Sequence, residues 1–180
     1  MTDSVHVQGL KQLNDALEGL TTKIQNNIMR GAMRAGAKVM RDHAKTICPV
    51  EDASAESWSK YKLSLGWKPG ELMRSIRLSA KLSGDQVVGF VKAGNKKAYY
   101  AHMVEGGTVA HWIRPKDGKS LFFAGVYSKA IYHPGSRKNP FMRITMDSQS
   151  QNALQGVGNY IRKRLTKDGI EIPDSPTEGL

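Results

Sequence analysis

Apolar residues along this chain recur with two periods, and the switches between them mark out its elements. After a short extended piece at Val5-His6-Val7, Leu10, Leu13, Leu17 and Leu20 share one helical face, which predicts a first short helix. Thr22 with Gln25 reads as a capping box, the threonine hydroxyl taking the Gln25 amide while that side chain reaches back. A second helix follows, with Ile24, Ile28, Ala32, Ala35 and Val39 as its stripe, flanked by Met29, Met33 and Met40 and stopped by Pro49. At about 100° per residue, Arg30, Arg34, Lys38, Arg41 and Lys45 gather on the opposite side. Gly31 and Gly36 each cost about 1 kcal/mol in a helix interior relative to alanine. A close neighbour is therefore expected against them, another backbone of this chain or of another subunit.

Residues 50–69 lose the period: acidic Glu51, Asp52 and Glu56 give way to serines, then to Trp58, Tyr61 and Trp67 set between lysines. This reads as a long inserted loop whose aromatics anchor it or contact a partner. Stacking on single-stranded bases is the competing reading. Beyond Pro69-Gly70 comes a helical turn. Ile76, Leu78, Ala80 and Leu82 then alternate with Arg77, Ser79 and Lys81, a half-buried strand that turns at Ser83-Gly84-Asp85. Residues 87–93 return as the second strand, apolar on both faces and expected to be central. A short helix is predicted over 98–105, with Gly106 in the left-handed cap position. Strands are expected at 109–114 and 121–132, separated by the turn Pro115-Lys116-Asp117-Gly118. Asn139 as N-cap with Pro140 as first helical residue then opens a long helix carrying Met142, Met146, Leu154, Val157, Ile161 and Leu165. The order predicts an α+β fold, with long N-terminal and C-terminal helices on one face of a small, mainly antiparallel sheet. Residues 1–169 read as one domain and 170–180, with two prolines, as an extended tail.

At 180 residues the chain is long enough for one core without disulfide staples. No apolar run approaches the ~20 residues of a membrane span, and the first residues lack a signal-peptide pattern, so a soluble protein folding in the cytoplasm is expected. The single cysteine, Cys48, is expected to pack. The net charge of +11 is more telling, since it calls for acidic partners such as nucleic acid or an oppositely charged protein. Between residues 86 and 143, ten Lys or Arg stand against Glu105 and Asp117, a net +8 spread over turns and loops.

Chemistry is thinner. His102 and Glu105, joined by His111 and His133, are the only candidates for a metal shell, yet one His-x-x-Glu in reversed order is half of a paired motif. The expected role of Glu105 is structural, fixed by a basic neighbour, with His102 packed or facing solvent. Ser75, Ser120 and Ser136 lie in no nucleophile elbow, and Cys48 follows a helix C-terminus, where the dipole opposes a thiolate. Gly106-Gly107-Thr108 lacks the phosphate-loop spacing.

Four segments in order carry a resemblance: Val7-Gln8-Gly9-Leu10-Lys11-Gln12-Leu13; Gly70-Glu71-Leu72-Met73-Arg74-Ser75-Ile76; Tyr100-Ala101-His102-Met103-Val104-Glu105-Gly106-Gly107-Thr108; and Pro134-Gly135 followed by Asn139-Pro140-Phe141-Met142. Over roughly residues 5–166 the chain resembles the tail-component, or tail-completion, proteins of long-tailed double-stranded DNA phages. That resemblance implies a non-enzymatic virion part with no cofactor, a ring at the neck, hexameric to match the sixfold tail, which joins the DNA-filled head to the tail. Its partners would be other copies of itself, the neighbouring head-tail connector, and the tail terminator or tail tube proteins. Its place would be the virion, after assembly in the host cytoplasm, with no membrane involved. Tyr100, Ala101, Val104, Glu105, Gly107 and Thr108 match the family signature, and His102 is not part of it. The inserted loop and the tail depart from the compact family form. The basic stripe would face either packaged DNA, a solvated surface or an acidic partner. Two other classes stand beside this one: a basic nucleic-acid-binding module built on Trp58 and Trp67, and a metal-dependent hydrolase centred on His102, Glu105, His111 and His133.

Overall fold

The computed structural model describes residues 14, 17–18, 20, 22–50, 68–116, 118, 120–123 and 126–167. The extended piece at Val5 to Val7, most of the first helix, the loop with Trp58, Tyr61 and Trp67, and the C-terminal tail lie outside the described residues. Helix α1, Thr22–Ile47, follows the apolar stripe and stops just before Pro49. Helix α2, Glu71–Ser75, precedes strands β1, Arg77–Ser83, and β2, Gln86–Lys92, which pair antiparallel around Gly84-Asp85 with Ser83 opposite Gln86. Gly84 sits at φ 60°, the left-handed value a tight hairpin needs. Helix α3, Ala101–Gly106, leads to strands β3, His111–Ile113, β4, Leu121–Phe123, β5, Val126–Ser128, and β6, Ile131–His133. Helix α4, Phe141–Lys167, closes the described chain.

Helices and antiparallel strands are mixed along the chain in an arrangement compatible with α+β. The sheet differs from expectation: among the described residues the strands form three separate two-stranded ribbons, β1-β2, β3-β6 and β4-β5. Residues 121–132 do not form one strand. The Ser128 hydroxyl donates to the Ala130 carbonyl at 2.6 Å and turns the chain. This local alternative to ladder bonding lets β6 fold back onto β3. Nor is β2 central, since β1 is its only strand neighbour among the described residues. Its apolar character comes from contact with α1, where a Cβ placed at Gly89 would stand 3.3 Å from the Met33 side chain.

Helix α4 runs antiparallel along α1. The Tyr160 ring covers Gly31, and a side chain at Gly36 would meet the Ala153 carbonyl oxygen at 2.8 Å and Val157 at 2.7 Å. The expected close neighbour of both glycines is therefore this chain's own C-terminal helix. At the far end His43 bonds Thr145 at 3.2 Å. Because the buried Thr145 hydroxyl donates to the Phe141 carbonyl, the imidazole Nδ1–H must be the donor of that pair.

Two clusters form the core among the described residues. Leu17, Ile28, Ala32, Ile161 and Leu165 form one. The other centres on Phe141 and joins Ala44, Cys48, Leu72, Ile76, Ala98 and Ala101. Cys48 packs as anticipated, and burial pushes its thiol from 9.0 to about 11. The buried face of α4 is Phe141, Thr145, Ala153, Ile161 and Leu165, one residue away from the expected Met142, Met146 and Leu154 stripe at its N-terminal end. The Phe141 cluster rotates the helix, leaving Met146 58% exposed.

Two local expectations are corrected here. Thr22 is already helical, and the Gln25 Nε2 donates to the Leu17 carbonyl at 2.7 Å instead of closing a capping box. That carbonyl, at the end of the preceding turn, also accepts the Leu20 amide. The left-handed residue after α3 is Gly107, at φ 72° and ψ 177°, and not Gly106, which is the last helical residue.

Candidate functional site

The Tyr100 to Thr108 segment ends in a joint that ties α3 to α4. Asn95 opens it: its Oδ1 accepts the amides of Lys97 and Ala98, both at 2.8 Å, and aims the chain into Tyr100 and Ala101. Ala101 is buried under Phe141. One turn later the Glu105 carboxylate reaches the start of α4, where the Met142 N–H donates to Oε2 and the Arg143 N–H to Oε1, each at 3.0 Å. These are two of the four amides that a helix start leaves without an internal partner. The expected basic neighbour of Glu105 is thus replaced by backbone, and the positive end of the helix dipole adds to the attraction.

The cap departs from the local reading of Asn139-Pro140. Ile144 N–H donates to the Pro140 carbonyl, so Pro140, not Asn139, is the first acceptor of α4. Asn139 instead gives its backbone N–H to the Val104 carbonyl at 2.8 Å. Gly107 follows in a conformation reserved for glycine. A Cβ there would stand 2.8 Å from the Ser136 carbonyl oxygen and 2.9 Å from the Lys138 nitrogen. Thr108 and Ser136 then bridge the two strands of chain, exchanging both backbone bonds at 3.1 Å while their hydroxyls meet at 3.0 Å. Gly135 lies so close to the Thr108 carbonyl that no side chain fits. Pro134 precedes it, exposed at the end of β6.

Tyr100, Ala101, Val104, Glu105, Gly107, Thr108, Gly135, Pro140 and Phe141 therefore converge on one joint. The Gly70 to Ile76 segment reaches it too, through Leu72 and Ile76 in the Phe141 cluster. Ser75, one of the serines considered as a nucleophile, is buried there, donating to the Leu72 carbonyl at 2.6 Å and accepting the Gly94 amide at 2.8 Å.

The histidines do not assemble around Glu105. Exposed His102 bonds the Tyr99 carbonyl through Nδ1 at 3.0 Å. His111 and His133 are cross-strand partners with ring centroids 5.2 Å apart. His111 Nδ1 donates to the Val109 carbonyl, and His133 Nδ1 accepts the Gly135 amide. Among the described residues, no three of His, Cys, Asp and Glu come together as a metal cage.

The basic stripe is on α1 as read. Arg30, Arg34 and Lys38 are exposed, and Lys45 is half-buried in the last turn. Arg41 departs from the pattern, because its guanidinium pairs with Asp42, the adjacent residue, through Nε at 2.8 Å.

Two surfaces escaped the sequence reading. One is a cleft of about 520 Å³ between α1, β2 and α4, lined by Met33, Met40, Val91, Met142, Met146 and Leu154 among others. The other is the β3-β6 ribbon, where Trp112 and Tyr132 pair edge-on at 5.2 Å and stand 60% and 55% exposed. Val109 beside them is 83% exposed. The tryptophan itself was the available signal, an aromatic flanked by Arg114 and Lys116 in a segment too short to be a core strand. No family model, curated protein or solved structure matches this chain. Among the described residues no helix is long and apolar enough to cross a membrane.

Proposed function

We propose that this chain is a structural virion protein of a long-tailed double-stranded DNA phage, assembling into a homo-oligomeric ring at the head-tail junction. There it joins or completes the tail by contact with neighbouring connector, terminator or tube proteins, with no turnover and no cofactor. The observation that supports this best is the joint around Glu105. The signature carboxylate and glycines are consumed in backbone capping and close approach, leaving them to fix architecture and not to meet a substrate. A ring component needs such rigid joints, because heterologous contacts close only when each subunit repeats the same angle.

Electron microscopy or native mass spectrometry of the purified protein tests the reading, with a closed ring expected. A strictly monomeric protein that never enters virions sinks it. The exposed Arg30, Arg34 and Lys38 favour a secondary role, sequence-independent attraction to packaged DNA along α1. The hydrolase loses ground to this reading, because His102, His111 and His133 are turned to separate backbone partners.

A further inference from the structure

The described residues carry an apolar hole and an apolar knob, and neither is filled or covered by the other within the chain. The hole is the cleft between α1, β2 and α4, whose only polar lining is Thr145 and Ser150 and which holds no charged side chain. The knob is the Trp112 and Tyr132 face of the β3-β6 ribbon. Trp112 lines no part of the cleft and is 60% exposed. The ribbon belongs to an arm that leaves and re-enters the body through the Thr108-Ser136 bridge.

We propose that these two surfaces are the halves of one contact: the Trp112 and Tyr132 face of one copy seats in the methionine-lined cleft of the next. This rests on the ring reading and names its interface. A second copy is the occupant that the chemistry selects. An uncharged cleft rejects a phosphate backbone or an acidic peptide, because a buried charge there would find no partner. An aromatic pair fits, since each such ring buries about 150–250 Å² and Trp and Tyr are enriched among the residues that anchor protein contacts. Four methionines, Met33, Met40, Met142 and Met146, give the cleft walls that adjust to a large planar guest. Its volume of about 520 Å³ is that of a site able to take up large side chains. Knob and hole lie on different surfaces of the same chain, so the contact is heterologous and propagates from copy to copy until it closes.

The test mixes two defective proteins. Trp112→Ala/Tyr132→Ala lacks the knob, and Met146→Glu, at an exposed helix position, places a charge in the hole. Sedimentation and native mass spectrometry should show assemblies for wild type, and association at least tenfold weaker for each variant alone. A one-to-one mixture should form dimers containing one of each and nothing larger, since only one intact contact remains. A disulfide readout guards against misfolded variants. Trp112→Cys mixed with Met146→Cys should give a mixed covalent dimer under mild oxidation, and neither should do so alone; native Cys48 is 5% exposed and stays silent.

If both defective variants assemble like wild type, this contact is wrong while the ring survives. A wild type that stays monomeric at every concentration overturns both. Should the knob variant keep its assembly but lose binding to a short single-stranded DNA probe, the ribbon is a nucleic-acid surface and the proposal falls.

Discussion

Replacing Glu105 by alanine is the sharpest perturbation of the joint. The carboxylate accepts two amides at 3.0 Å from the first turn of α4 while half-buried between α3 and α4. Hydrogen bonds to a charged group contribute about 1.5–3 kcal/mol each, and losing an N-cap costs about 0.5–2 kcal/mol. Water reaches part of the vacated site and recovers some of this, so a net loss of about 2–4 kcal/mol is expected. Glu105→Gln keeps one acceptor oxygen but turns an NH2 donor toward the second amide, and about 1–2 kcal/mol should go. For a chain of this size each kcal/mol moves Tm by about 2–4 °C. Urea unfolding with an unchanged m-value supplies the free energies, and His102→Ala, removing an exposed imidazole one turn earlier, serves as the control within about 0.5 kcal/mol. If Glu105→Ala matches that control, the carboxylate does not hold α4, and the account of the signature segment fails with it.

Two glycines of the α1-α4 contact should respond with opposite signs. Gly36→Ala forces a Cβ to 2.8 Å from the Ala153 carbonyl oxygen and should cost about 1–3 kcal/mol, while Gly156→Ala meets nothing closer than 3.5 Å and should gain about 0.5–1 kcal/mol in thermal unfolding. The Cys48 thiol, raised to about 11 when folded, holds its proton longer than the unfolded chain does. Its contribution is fully present below pH 9 and is lost as pH climbs toward 11, so wild type should lose more stability than Cys48→Ala over that window. Maleimide should label Cys48 slowly at pH 8 in the native protein and rapidly in denaturant, and equal rates would contradict its burial. Arg34→Glu/Lys38→Glu should lower DNA retention in assembled particles with rings intact; loss of the rings themselves would make the stripe an interface.

Long, strongly periodic elements were legible in the sequence. The stripe through Ile28 and Ala32 with Pro49 beyond it specifies α1, and the alternation from Ile76 to Leu82 around Gly84-Asp85 specifies the hairpin. Strands of three residues carry no period, which is why residues 121–132 read as one strand and became three pieces. The face of α4 was misplaced because Met142 and Met146 are as apolar as the residues that are buried. Only the distant Phe141 cluster, drawing on Ala44, Leu72 and Ala98, decides the rotation. Glu105 was legible as a structural carboxylate but not in its partner. A cap delivered from 37 residues away leaves no trace in the spacing of Asn139-Pro140. Trp112 was hidden by the opposite default, since an apolar residue in a strand is assigned inward until a structure shows which side is empty.

The Thr108-Ser136 bridge separates two kinds of evolutionary freedom. On its inner side, Gly107, Gly135 and Glu105 meet backbone at van der Waals or hydrogen-bond distance, and a substitution there disturbs the whole body. On its outer side the chain has already been brought back to its starting point. Lengthening the intervening segment adds only about 0.6 kcal/mol of closure entropy per doubling. The arm behaves as an exchangeable cassette: a descendant can acquire new neighbours by rewriting residues 111–133 while inheriting the clasp, Gly135 included, and everything beneath it unchanged.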